Sequence, residues 1–215
     1  MMIASVLHLG RADCKALNIT DTYSIHRVVY DLFDDIRAES EKQQNVSSGI
    51  LYVDKGGDIR GRKILMLSNR QPNVPSHGQL SELRRIPDTF LDYPRYRFEV
   101  VINPTKRTSG GGRLIAIRKT KDPLLQNEES TRQKIAKWFI EKAPQWGFEV
   151  KPEHLAVGNV SVKRFEKDGQ TITQAQAQVL GQLTVINKEK FIQSFQQGIG
   201  RGRSFGCGLL QIVPI

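Results

Sequence analysis

Tyr23 stands three and four residues before His26 and Arg27, and Tyr30 four and three after them, in the segment DTYSIHRVVYDLF, residues 21–33. On a helix that spacing stacks them on one side. It puts an imidazole that exchanges protons near neutral pH beside two phenols and a permanent cation, a set suited to general acid–base work. A second group lies near the C-terminus. The run Gly198-Ile-Gly200-Arg201-Gly202-Arg203-Ser204-Phe-Gly206-Cys-Gly208 holds five glycines and two arginines in eleven residues, and no acidic residue follows. Glycine tolerates positive φ and close backbone approach, so N–H groups can converge on an anion. Arginine adds a planar fork that matches phosphate oxygens. Such a run is either a phosphate cradle or a basic surface turn.

Both groups need elements to hold them. Met2–Leu9 is an apolar run of strand length, and Thr20-Asp21 can cap a helix from Thr22 to about Glu39. Ile25, Val28, Val29, Leu32, Phe33 and Ile36 would form its buried stripe, with Tyr23, His26, Arg27 and Tyr30 opposite. His26 is therefore not expected to be a packed core histidine; it is either an ordinary exposed helix residue or a working one. Two β-rich segments follow, Gly49–Asp54 and Lys63–Asn69. Residues 71–79 then read as a loop, and Ile86–Pro94 as a connection between domains.

The second half starts again with a strand, Tyr96–Ile102, then a basic connection and a strand-like run over residues 113–119. A helix from about Glu128 to Lys142 buries Ile135, Trp138 and Phe139, and a hairpin turns at Lys167-Asp168-Gly169. A short helix, Lys188–Gln197, runs into the glycine-rich loop, and the apolar strand Gly208–Val213 closes the chain. The order β(β)αββαβ is the ferredoxin-like pattern, and the first half carries most of it. The expected class is α+β: two tandem ferredoxin-like domains (βαββαβ), at 1–90 and 95–215.

Net charge separates the halves. Through residue 93 there are 12 Lys+Arg and 12 Asp+Glu; the remainder holds 20 and 10, which accounts for the whole +10. The C-terminal half is thus the expected contact for a polyanion, with nucleic acid the leading candidate. Lys106, Arg107, Arg113, Arg118, Lys119 and Lys121 lie in a stretch without a carboxylate that includes Ser-Gly-Gly-Gly. This composition suits a basic arm that follows phosphates or enters an RNA groove. Cys14 and Cys207 fall in no ligand spacing with the four histidines, so neither a metal nor a disulfide framework is expected. No apolar stretch reaches membrane-spanning length and no signal peptide is evident, so the expectation is a cytoplasmic protein without a membrane partner.

The glycine-rich run does not fit a mononucleotide loop. A Rossmann fingerprint needs glycine where Arg203 stands, and a Walker A loop needs a Gly-Lys-Ser/Thr that is absent. Both of those loops precede a helix N-terminus, whereas this run follows a helix and precedes a strand. A backbone phosphate of a longer polymer suits it better.

The segment GIGRGRSFGCGLL resembles the C-terminal signature of the CRISPR-associated repeat-processing endoribonucleases of the RAMP superfamily, especially the CasE group of type I-E systems. The segment around Tyr23 and His26 is similar to that group's first helix. FEVVINPTKR (98–107), Trp138-Phe, Gly147-Phe148 and Gly181-Gln-Leu-Thr-Val fall in the expected order between or beside them. The resemblance implies that His26 is catalytic; by their chemistry, Tyr23 one turn earlier would orient the hydroxyl or donate to a phosphate oxygen, and Arg27 would bind RNA as an electrostatic helper. It implies RNA contacts from the basic arm and from Gly198, Gly200, Arg201, Gly202, Arg203 and Ser204. It also implies a CRISPR repeat hairpin as substrate, cut at the base of its stem, and a product passed to a Cascade-like complex. RNA carries its own nucleophile in the 2′-hydroxyl, so no metal or other cofactor is required. Cleavage would leave a 2′,3′-cyclic phosphate and a 5′-hydroxyl, with His26 as base, acid or both. A guide-RNA-binding subunit that no longer cuts would share the loop; the Tyr23/His26 pair favours the enzyme. A general RNA-binding protein on this scaffold would carry stacking aromatics of the RNP kind, and no such motif occurs.

Overall fold

The structure, a computed structural model, describes residues 1–38, 40, 47–58, 61–107, 114–116 and 128–215. Strand β1 (Met2–Leu9) runs into a short helix, α1 (Arg11–Ala16), within the polar connection that leads to Thr20-Asp21. Asp13 makes this helix possible, since its Oδ2 accepts the Gly10 N–H at 2.8 Å. Helix α2 (Thr22–Tyr30) starts with a capping box: Asp21 Oδ1 accepts from Ser24 N at 2.8 Å, while Ser24 Oγ accepts the Asp21 N–H at 3.0 Å.

The expected helix to Glu39 is corrected: α2 ends at Tyr30. Asp31, Asp34 and Asp35 would load the negative end of a longer helix with further negative charge. The chain instead tightens, with Leu32 N donating to Val29 O and Phe33 N to Tyr30 O. Leu32 and Phe33 still bury from this turn, but Ile36, expected in the core, is 66% exposed.

Strands β2 (Ile50–Asp58), β3 (Gly61–Ser68) and β4 (Gln79–Ile86) complete an antiparallel sheet in the order β2-β3-β1-β4. Strand β4 is a polar edge strand, bulged between its Ala4 and Val6 pairings, and carries no clean apolar alternation by which its sequence would mark it. The connection to the second sheet forms a 3₁₀ turn at Asp88–Leu91, tied down where Tyr96 Oη donates to Phe90 O at 2.9 Å.

The second sheet contains β5 (Arg95–Ile102), β8 (Phe148–Glu149), β9 (Leu155–Lys167), β10 (Gln170–Val185) and β11 (Gln211–Pro214). Between β5 and β8 lie β6 (Thr105–Arg107), its partner β7 (Leu114–Ala116), and helix α3 (Glu128–Lys142). Helix α4 (Lys188–Gln197) precedes β11. The sheet order is β11-β5-β10-β8, and β9 lies farther along the β8 flank of β10, so two pieces fill one strand position. Asp168 and Gly169, both at positive φ, make the two-residue turn between β9 and β10. Each half is thus ferredoxin-like in strand order, with a loop in the first half between β3 and β4.

Two cores follow from the two faces of the first sheet. Ile25, Val29, Leu32 and Phe33 pack on Leu7, Ile64 and Met66 on one side. On the other, Leu51, Val53 and Leu67 join the Phe98, Phe139, Phe148 and Phe191 core of the second half. That continuity brings α2 and the C-terminal loop together.

Candidate nucleic-acid cleavage site

Helix α2 turns Ile25 and Val29 into its own core and Tyr23 and His26 away from it, as their spacing requires, while Tyr30, expected on the same outer side, packs against the edge of that core. Ser204 and Phe205 of the second half reach His26 on that outer face, and all three rings are half-buried. Tyr23 stacks on His26 at 5.7 Å between centroids and 15° between planes, and Tyr30 lies 4.2 Å from the imidazole. Phe205 of the glycine-rich run approaches to 5.4 Å and is backed at 4.8 Å by Phe165 of β9. Arg27 remains exposed, its guanidinium 5.9 Å from the Tyr23 ring centroid.

His26 Nδ1 lies 2.7 Å from the Ser204 carbonyl oxygen, across 178 positions of sequence. A carbonyl can only accept, so Nδ1 carries the proton, and the neutral ring keeps its lone pair on Nε2. Burial lowers the pKa of His26 from the ordinary histidine value. The Ser204 carbonyl opposes this, the Lys167 charge lowers the value further, and Asp31 raises it. The net shift is downward, so at neutral pH the ring is the uncharged form that can take a proton at Nε2.

The loop that supplies Ser204 O is built by its glycines. All five, Gly198, Gly200, Gly202, Gly206 and Gly208, have φ between +71° and +85°. At Gly208 the obstacle is main chain: a Cβ there would lie 2.5 Å from Ile199 O, and the residue is held on both sides, donating to Val101 O at 2.7 Å and accepting from Ile199 N at 3.0 Å. Gly202 accepts from Phe205 N and Cys207 N and lies against the buried Gln174 amide. Burial pushes the Cys207 thiol up to about 12, so it serves as neutral packing, with Gln174 Nε2 3.1 Å from its sulfur.

The sequence-selected cations take different positions. Arg201 is exposed beside the loop, whereas Arg203 is half-buried and donates from Nη1 to Gln197 O at 2.8 Å, closing the C-terminus of α4. Ser204 exposes its side chain while its carbonyl is occupied by His26. Lys106 is exposed on β6, with its backbone opposite Ile115 of β7. Arg107 is described as backbone opposite Leu114; its side chain, and the whole of Arg113, Arg118, Lys119 and Lys121, lie outside the described residues.

Other groups at the site were missed. Lys163 and Arg164 of β9 are exposed and, with Asn159, Gln176 and the N-terminal end of α2, border a cleft of about 530 Å³. The cations in the hairpin stretch VKRFEK were a readable signal. The contribution of Tyr52 had none: its Oη donates to the same Ser204 carbonyl at 3.0 Å, from the middle of an apolar strand. Among the described residues, no group of three or more His, Cys, Asp or Glu is placed to hold a metal ion, and both cysteines are free. No helix among them is long and apolar enough to cross a membrane.

Comparison with known proteins agrees with this architecture. The chain is 27% identical over 131 residues to the CRISPR-associated endoribonuclease Cse3 of Thermus thermophilus, an alignment covering 56% of each chain. The chain therefore spans just over half the length of that curated relative. The structure of Thermus thermophilus Cse3 bound to an RNA representing a pre-cleavage complex superimposes with a TM-score of 0.74, at 17% identity and 99% coverage of both chains. A chain of a CRISPR RNA-guided surveillance complex superimposes with a TM-score of 0.69, at 19% identity and full coverage of both. The tandem ferredoxin-like fold is shared with these structures. The family described as CRISPR associated protein matches residues 3–214, and with the glycine-rich loop closed on the α2 histidine, this chain belongs to that family.

Proposed function

We propose that the protein is an endoribonuclease that cuts CRISPR precursor RNA within its repeat hairpins to release guide RNAs. The observation that carries this reading is the bond from His26 Nδ1 to Ser204 O, which sets a neutral imidazole beside a glycine-rich loop suited to phosphate. In the reaction, His26 Nε2 takes the proton from the 2′-hydroxyl next to the scissile phosphate. The oxygen attacks phosphorus, the bond from phosphorus to the 5′-oxygen breaks, and the leaving 5′-oxygen takes a proton from water. The products are a 2′,3′-cyclic phosphate and a 5′-hydroxyl. Because the nucleophile belongs to the RNA, the chain's residues need only move protons and balance charge, worth about 10²- to 10⁴-fold for a positioned base. Tyr23, stacked on His26, orients the attacking hydroxyl, and Arg27 stands by as a cation.

Arg201 and the loop backbone hold phosphates, and Lys106, Arg107, Arg113, Arg118, Lys119 and Lys121 bind the hairpin. The two units divide as 1–90, carrying His26, and 95–215, carrying the loop and basic arm. The site of action is the cytoplasm, and the product is kept as part of a multisubunit surveillance complex. The test is incubation of the protein with a panel of repeat-like and unrelated hairpin RNAs in EDTA, followed by end-group analysis. Specific cleavage with cyclic phosphate ends is expected; binding without cleavage of any hairpin would overturn the enzymatic reading.

A further inference from the structure

Tyr52 shares an acceptor with His26. Its hydroxyl donates to Ser204 O at 3.0 Å while His26 Nδ1 donates to the same oxygen at 2.7 Å. A carbonyl oxygen has two lone pairs, so the two donors fill it. Tyr52 is 1% exposed, fixed in β2 between Leu51 and Val53, and its ring packs under the loop near Gly206. The hydroxyl is therefore a rigid donor from the first sheet into the second half's loop.

We infer that Tyr52 is a positioning residue for the cleavage reaction, acting through the Ser204 carbonyl to hold His26 in its Nδ1–H tautomer and to keep its ring uncharged. The inference rests on the reading of His26 as the base. Two donors on one oxygen compete. With Tyr52 drawing on the carbonyl, less acceptor strength is left to stabilise an imidazolium at Nδ1, and Nε2 stays free at neutral pH. Burial pushes the Tyr52 phenol far above its ordinary range, so it remains a donor at every working pH and cannot itself take the proton. The other charged or titratable groups around His26 are Tyr23, Arg27, Tyr30 and Asp31 on its own helix and Lys167 at the end of β9. Ser204 O takes its hydrogen bonds from His26 and Tyr52.

The test is Tyr52→Phe, which keeps the ring and leaves no buried donor unpaired. The first readout, by NMR of the His26 ring nitrogens without RNA, is independent of activity. The account expects the His26 titration midpoint to rise by on the order of 0.3 unit in the variant, as the carbonyl bond passes wholly to the imidazole. An unmoved or lowered midpoint overturns the inference. The second readout is single-turnover cleavage against pH, with hairpin affinity and thermal midpoint as controls. The acid limb should shift upward with the NMR midpoint, and the plateau rate should fall about tenfold, at an affinity within about twofold of the parent. A fall in plateau with an unmoved acid limb marks a purely structural role and overturns the inference. His26→Ala is run beside it: full cleavage by that variant refutes the base assignment itself, while the NMR arm still decides what Tyr52 does to the imidazole.

Discussion

Gly208→Ala isolates what the loop does for the site. The substitution forces an L side chain to φ +85°, costing about 1–2 kcal/mol. The new Cβ meets Ile199 O at 2.5 Å, a backbone atom that cannot swing aside, and relief requires a main-chain shift of the kind that costs about 1–3 kcal/mol. The total is about 2–5 kcal/mol. The shift strains the closing bonds to Val101 O and Ile199 N, and these hold Gly208, four residues from Ser204. Gly200→Ala is the matched control, since φ is +71° there but nothing lies within 4 Å of the added methyl, leaving only the conformational cost of about 1–2 kcal/mol. Urea unfolding followed by tryptophan fluorescence gives the two stability losses, and single-turnover hairpin cleavage gives the effect on the site. The larger stability loss at 208, with cleavage reduced there, is expected. Equal losses at the two positions would refute the claim that close packing, rather than glycine flexibility alone, shapes the loop.

The two loop arginines should separate. Arg201→Ala should lower the slope of log affinity against log salt by about 0.7–0.9, one phosphate contact. Arg203→Ala should change that slope less and cost about 1 kcal/mol of stability, because its guanidinium is committed to Gln197 O. The lowered His26 pKa predicts a cleavage rate flat through neutral pH, with an acid limb below about 6.5. In the folding linkage the sign is the same: the stabilising contribution is fully present above the unfolded value of about 6.5 and is lost as pH falls through the folded value. Lys167→Gln should move the acid limb upward, because the Lys167 charge helps hold the ring neutral; an unmoved limb in a pH–rate series would remove that cation from the account.

Much of this was legible because it is local. The Asp21 cap, the Lys188–Gln197 helix and the hairpin turning at Asp168-Gly169 are each written in a few adjacent residues. The α2 stripe was also readable, since helical spacing alone separates Tyr23 and His26 from Ile25 and Val29. What failed was the balance between local pattern and context. Ile36 continues the apolar stripe in sequence, yet three aspartates and the tight turn at Leu32 and Phe33 end the helix before it. Edge strand β4 had no apolar face to announce it. The contact that organises the site was not readable at all. Its acceptor is a main-chain carbonyl, which carries no residue identity, and its two donors lie 178 and 152 positions away.

The central claim is that the imidazole of His26 performs the proton transfer while the loop binds. It is tested most directly by His26→Ala on a repeat hairpin in EDTA, measuring cleavage and hairpin affinity on the same preparation. The account predicts no cyclic phosphate product and an affinity within about twofold of the parent, since the ring sits on the loop without being its main support. Full cleavage by the variant would contradict it.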